Sequence, residues 1–213
     1  MMTGKWHAGT TKGHWPEDRG FQRFHGIHNW VDSYWKVLRG CEVYEDGKVV
    51  TPATADPPNF LHRGREWYST EAFTDHAIRF IDEAVWAGKP FFQYVAYNAP
   101  HWPLEAPDED IAKYRGTYAK GWRELRRQRY RRMIEMGILK KTWALSEDDA
   151  PKWESLSGAD REELDFRRAI YAAQIDRMDR NIARLVKRLK ERGVYENTLI
   201  LFLSENGCSA EPE

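Results

Sequence analysis

A three-layer α/β fold, with a largely parallel sheet covered by helices, is what this sequence predicts. Three observations carry the expectation. Phe91 to Tyr97 and Thr198 to Leu203 are short, nearly unbroken apolar runs with a β-branched and aromatic bias, the pattern of strands buried on both faces. Each run follows a stretch of helical periodicity, the second one long. Helix, buried strand, long helix, buried strand is the rhythm of such a sheet.

The elements follow in order. Roughly the first 40 residues are rich in Gly, His and Trp without a sustained period and read as structured loop, with a short strand just before Lys5. Cys41 to Val50 reads as a hairpin, because Asp46-Gly47 supplies the positive φ of a tight turn between two β-prone runs. Thr51 to Gly64, with Pro52, Pro57 and Pro58, is a connector. A helix is expected from about Ser69 to Ala87, capped by Ser69 or Thr70 and stopped by Gly88 and Pro90. Phe73, Ala77, Phe80, Ile81, Ala84 and Val85 mark its buried side. Residues 108–137 read as helical, and the six arginines from Arg123 to Arg132 as a solvated face. A long helix runs from about Ser157 to Arg192, opened by a capping-box-like Ser157 and Asp160. Leu164, Ile175, Met178, Ile182, Leu185, Val186 and Leu189 are its expected stripe, and Gly193 ends it.

Composition narrows the class. The 213 residues suffice for one good core, and 41% hydrophobic with 31% charged residues suits a globular chain. Lys plus Arg and Asp plus Glu both number 33, so charge gives no sign of a nucleic-acid or membrane partner. No run approaches the roughly 20 apolar residues of a membrane span, and the start carries no charged-then-apolar leader. Cys41 and Cys208 are too few for a disulfide framework or a thiolate metal site, and leave the compartment unread. Ten Trp and ten Tyr suit clefts that stack ring-shaped ligands, and fill cores equally well.

In open α/β sheets ligands bind beyond the carboxyl ends of the strands. That rule selects Asn98-Ala99-Pro100-His101 after one strand and Ser204-Glu205-Asn206-Gly207 after the other. Glu205 and Asn206 offer adjacent oxygen donors of the kind Ca²⁺ or Mg²⁺ takes, in a sequence that also suits an ordinary turn. His101, between Pro100 and Trp102-Pro103, is a held imidazole able to donate a proton, or else a packed loop histidine. Lys5 and His7, flanked by Gly4 and Gly9, suit a tetrahedral anion whose developing charge the ammonium stabilises. An ordinary surface Lys-Trp-His is the alternative.

Taken together, four segments resemble the sulfatase family. Thr3-Gly4-Lys5-Trp6-His7-Ala8-Gly9 with Asp18-Arg19-Gly20-Phe21-Gln22-Arg23-Phe24-His25-Gly26 is similar to its "GKWH…RGFDxFxG" stretch. Phe91 to Pro103 (FFQYVAYNAPHWP) resembles its strand and "APHxP" loop. Tyr171 to Ala183 (YAAQIDRMDRNIA) and Asn197 to Gly207 (NTLILFLSENG) resemble its "MDxxIG…NTxxxFxSDNG" segment.

The resemblance implies an alkaline-phosphatase-like α/β sheet with flanking helices, and hydrolysis of sulfate esters by a formylglycine nucleophile with a divalent metal, usually Ca²⁺. It implies that Lys5 bridges nucleophile and sulfate, and that His7 holds the nucleophile's hydroxyl. His101 would contact the sulfate and protonate the leaving alcohol, and Glu205 and Asn206 would ligate metal. A sulfated small molecule or glycan is the implied partner. The family places its Asp-Asp metal pair and Cys-x-Pro-Ser-Arg motif before the GKWH segment, where only Met1 to Gly4 stand here. Neither Cys41 nor Cys208 has the modification context, and Ser157-Gly-Ala-Asp-Arg161 fits a loose version only at a helix start. Residues 1–213 are therefore expected to be a partial catalytic domain, incomplete at both ends, with formylglycine not encoded. Alone it is expected to fold poorly and to turn over no chromogenic aryl sulfate. Glu205 stands where the family has Asp, one methylene shorter. A phosphate-ester hydrolase of the same superfamily, or a degenerate module binding sulfated glycans, are the competing readings.

Overall fold

The computed structural model describes residues 1–30, 32–37, 40–50, 61–62, 65–148 and 150–204. Its centre is a five-stranded mixed sheet. Strand β1 (Met2–Lys5) lies parallel to β2 (Phe24–Ile27) on one side and to β7 (Tyr94–Ala96) on the other. Strands β3 (Val43–Glu45) and β4 (Lys48–Val49) add the expected hairpin antiparallel to β2. Asp46 (φ 48°) and Gly47 (φ 76°) both take positive φ in its turn, as a tight hairpin requires. A separate two-stranded ladder pairs β5 (Leu61–His62) with β6 (Arg65–Glu66). Of the connector expected at residues 51–64, residues 51–60 and 63–64 lie outside the described residues, and Leu61–His62 form β5.

The amino-terminal stretch is more ordered than its composition predicts. The short strand expected before Lys5 is β1, and β2, which was not expected, lies in the same stretch. A Cβ on Gly4 would stand 2.0 Å from the Ala96 carbonyl oxygen, and one on Gly26 would stand 1.8 Å from the Gly4 carbonyl oxygen. The three parallel strands touch across a line that admits no Cβ at Gly4 or Gly26, so β2 carries no sustained apolar alternation to mark it.

Helix α1 (Ser69–Trp86) covers the sheet within one residue of the expected span. Its cap differs: Tyr68 is the N-cap and no side chain caps the helix, because Ser69 Oγ instead donates to Asn98 Oδ1 at 3.1 Å. Phe73 and Ala72 pack with Ile27, Val43 and Trp67, and Ala77 and Ile81 pack with Leu185 and Leu189. Successive strand residues alternate faces, so Thr3, His25, Glu45 and Val95, paired in one row, look toward α1. The other face carries aromatic stacking rather than a helix among the described residues. Trp15 lies 4.6 Å from His28, which lies 4.1 Å from Tyr44 and 5.2 Å from Phe24.

Two expected strands are corrected. Phe91 to Tyr97 narrows to β7, the outermost strand of the described sheet, with Phe92 70% and Tyr94 43% exposed. Thr198 to Leu203 forms no ladder among the described residues, and Leu201, Phe202 and Leu203 are more than 70% exposed. The continuous helix expected at residues 108–137 is also divided, into α2 (Asp108–Ala112) and α3 (Trp122–Glu135). Gly116 and Gly121 take positive φ between them, and a Cβ at Gly121 would meet Trp153 Cγ at 2.5 Å.

The long helix α4 (Gly158–Glu191) begins as expected, Ser157 Oγ accepting from the Asp160 amide and donating to Asp160 Oδ2. Its stripe is different. Ile175 is 38% exposed, and the buried line is Asp165, Ala169, Ala173, Gln174, Asn181, Leu185 and Leu189. The inner face is half polar because α4 meets its neighbours through charge. Arg188 and Arg192 converge on buried Asp82 of α1, Arg184 reaches Asp75, and Arg177 and Arg180 reach buried Asp110 of α2. No described helix is long and apolar enough to cross a membrane.

Candidate active site

The register of the three parallel strands sets the site. Gly4 of β1 is level with Gly26 of β2 and Ala96 of β7, so the residues leaving all three carboxyl ends meet at one edge of the sheet. Lys5 is the last residue of β1. The chain then stays tied to β2, the Trp6 amide donating to the Ile27 carbonyl at 2.8 Å and the His7 amide to the His28 carbonyl at 3.1 Å. At His7 the backbone turns away with φ 49°, a left-handed conformation uncommon for a residue with a Cβ. Trp6 Nε1 donates to the His14 carbonyl, pinning the loop that follows.

The β7 end leads into the Asn98–His101 turn, closed by the His101 amide on the Asn98 carbonyl at 2.8 Å. This turn hangs from one phenol. Tyr34, fully buried, shares its hydroxyl hydrogen between the carbonyl oxygens of Asn98 (3.0 Å) and His101 (2.9 Å). Burial, with the neighbouring Tyr68 and Glu105, pushes the Tyr34 phenol far above its ordinary range, so it remains a donor. Glu105 anchors the same assembly, accepting from Ser33 Oγ at 2.7 Å and from the Tyr34 amide at 2.6 Å. Tyr68 donates to the Glu105 carbonyl, and Gln174 of α4 donates to the Pro103 carbonyl.

The imidazole of His101 is exposed, with Nδ1 2.6 Å from the Trp102 carbonyl oxygen. A carbonyl only accepts, so Nδ1 carries the hydrogen and Nε2 is the nitrogen left to meet a ligand. Asn98 Nδ2 is buried without a hydrogen-bond partner among the described residues. His28, 4% exposed, has its pKa lowered to about 4 by burial, and is neutral.

Of the expected site residues, Lys5, His7 and His101 are thus carried to the same sheet edge. Glu205 and Asn206 lie outside the described residues, as does Cys208. Tyr34, Ser33 and Glu105 escaped the sequence reading. The only trace of them was a pair of polar residues in aromatic surroundings, which many surface loops share.

The family model for sulfatases matches residues 1–213. The chain is 33% identical over 216 residues to an arylsulfatase of Klebsiella aerogenes, covering 98% of this chain and 44% of that protein. It is 30% identical over 219 residues to an uncharacterized sulfatase of Schizosaccharomyces pombe, covering 97% of this chain and 38% of that protein. Among solved structures it resembles Ps i-CgsB in complex with k-i-k-neocarrahexaose, at TM-score 0.57 and 25% identity over 92% of this chain and 34% of that one. The chain belongs to the sulfatase family. It spans less than half the length of these curated relatives.

Proposed function

We propose that these residues form the anion-handling side of a sulfate-ester hydrolase site. The observation that carries the reading is the parallel register, which delivers Lys5, His7 and the Asn98–His101 turn to one sheet edge in a chain of the sulfatase family. The Lys5 ammonium faces oxygen charge that grows as sulfur is attacked, where a fixed cation lowers the barrier most. The Nε2 proton of a protonated His101 passes to the ester oxygen as the sulfur–oxygen bond breaks, so an alcohol rather than an alkoxide leaves. His7, on the same backbone turn as Lys5, holds the attacking hydroxyl.

The proposed metal is a hard divalent cation, Ca²⁺ or Mg²⁺, which would neutralise sulfate oxygens, with Glu205 and Asn206 as two of its ligands. The proposed substrates are sulfate esters of aryl alcohols or of glycans. The arylsulfatase relative supports the first, and the neocarrahexaose-bound structure supports the second.

The test is steady-state kinetics on a chromogenic aryl sulfate and the matching aryl phosphate, with Lys5→Ala and His101→Ala in the intact protein. Sulfate turnover should exceed phosphate turnover, and each variant should lose on the order of 10²-fold or more in kcat. With His101→Ala the loss should shrink as the leaving phenol becomes more acidic. Variants as active as the parent on both esters would overturn the assignment.

A further inference from the structure

A second cluster of ligand-type side chains sits on the α1 face of the sheet and takes no part in the site above. His25 of β2, Glu45 of β3 and His76 of α1 bring one ligand atom each to within 4.8 Å of one another. The Nδ1 atoms of His25 and His76 are each 3.6 Å from the same carboxylate oxygen, Glu45 Oε2. The two rings stack 3.4 Å apart at their centroids, with 1° between their planes. His25 is 3% exposed, and the side chains of His76 and Glu45 are 13% and 24% exposed. Three elements distant in sequence thus supply two imidazoles and a carboxylate at one semi-buried point.

We propose that His25, Glu45 and His76 form a binding site for a borderline transition-metal cation of the Zn²⁺ class, separate from the sulfate-handling site.

Ligand type, spacing and charge support it. Two nitrogens and one oxygen suit Zn²⁺ and its neighbours, and suit the oxygen-seeking Ca²⁺ poorly. Tetrahedral ligands about 2.1 Å from Zn²⁺ stand roughly 3.4 Å from each other, close to the 3.6 Å found for both histidine–carboxylate pairs. Three protein ligands leave a fourth position for water. The stacked rings must turn about Cβ–Cγ to aim their lone pairs at a shared ion, and that torsion is broad for histidine.

The surrounding charges define the competition. From α1, Arg79 donates to Glu45 Oε1 at 2.5 Å and to His76 Nδ1 at 2.9 Å, so it is the group a metal must displace from the imidazole. Arg23 approaches Glu45 Oε1 at 3.8 Å, and is itself paired with Asp46 and with Glu83 of α1. Two guanidiniums therefore face three carboxylates around the point where a cation would sit. A bound ion would join the β3–β4 hairpin and β2 to α1.

The experiment is a calorimetric titration of the full chain with Zn²⁺ after chelation and dialysis, with Co²⁺ absorption as a spectroscopic readout. About one equivalent of Zn²⁺ should bind with three-ligand affinity, and millimolar Ca²⁺ should not compete. His25→Gln and His76→Gln, checked for folding by circular dichroism, should each weaken binding by about tenfold or more and abolish the Co²⁺ band. Arg79→Ala should do the opposite and tighten binding several-fold, a gain that no folding defect imitates. A parent that takes up no Zn²⁺ overturns the proposal, as does uptake unchanged in the two glutamine variants. Should those variants not fold, Arg79→Ala decides alone: affinity equal to or weaker than the parent overturns the site.

Discussion

At the scale of single residues, the Tyr34 hydroxyl holds the turn that carries His101 from a fully buried position. Tyr34→Phe removes one shared hydrogen bond and leaves the ring packed against Tyr68. It should cost about 1–2 kcal/mol of stability by denaturant titration. In the intact protein it should lower kcat roughly tenfold with little change in KM, because a loosened turn misplaces the proton donor without removing a substrate contact. A proportional rise in KM instead would contradict this positioning role. His28 offers a pH test. Its folded pKa of about 4 lies below the ordinary 6.5, so the unfolded chain binds the extra proton between those values. Stability should be complete above pH 6.5 and fall as pH drops toward 4, by on the order of 2 kcal/mol. His28→Phe keeps the stack with Trp15, Phe24 and Tyr44 and should flatten that part of the curve, measured by thermal melts across the window.

At the scale of elements, glycine decides where the sheet is tight. Gly4→Ala drives a methyl group into the Ala96 carbonyl and Gly26→Ala drives one into the Gly4 backbone. Each should cost more than about 3 kcal/mol or prevent folding, by overpacking and by strain, where most alanine substitutions cost about 1. Expression and melting of both variants beside Gly158→Ala, at a glycine with open space around it and no positive φ, checks this. The same crowding explains what could be read in advance. Helices α1 and α4 were legible to within about a residue, because helical spacing and a closing glycine mark both and Ser157 caps α4. The hairpin was legible from Asp46-Gly47 alone. Strand β2 was obscured because its packing on β1 is backbone on backbone, and the break between α2 and α3 because Gly121 answers to Trp153, 32 positions away. Lys5, His7 and His101 could be found because they sit in contiguous motifs. The cluster of His25, Glu45 and His76 joins three separated elements, and no local spacing announces it.

At the scale of the whole molecule, two features pull in different directions. Leu199, Leu201, Phe202 and Leu203 form an exposed apolar segment of strand-like sequence, and Phe92 and Tyr94, leading into and opening β7, are exposed beside the outermost strand of the described sheet. Such surfaces pair and aggregate. The purified 213-residue chain should self-associate at tens of micromolar, and Leu201→Lys with Phe202→Lys should reduce light scattering without lowering the melting temperature. The seam between α1 and α4 behaves in another way. Asp75 and Asp82 are buried, but the arginines that meet them remain a quarter to two-fifths exposed, so the surrounding electrolyte reaches half of every pair. Ionic strength therefore acts as a dial on this protein. Raising sodium chloride from 0.01 to about 0.5 M shrinks the screening length from roughly 30 Å to a few ångströms. It should loosen the α4 seam while leaving the aromatic layer around His28 intact. Heat acts in the opposite sense, since charges become cheaper to dehydrate as temperature rises. The long helix should accordingly release first in warm brine and last in warm dilute buffer.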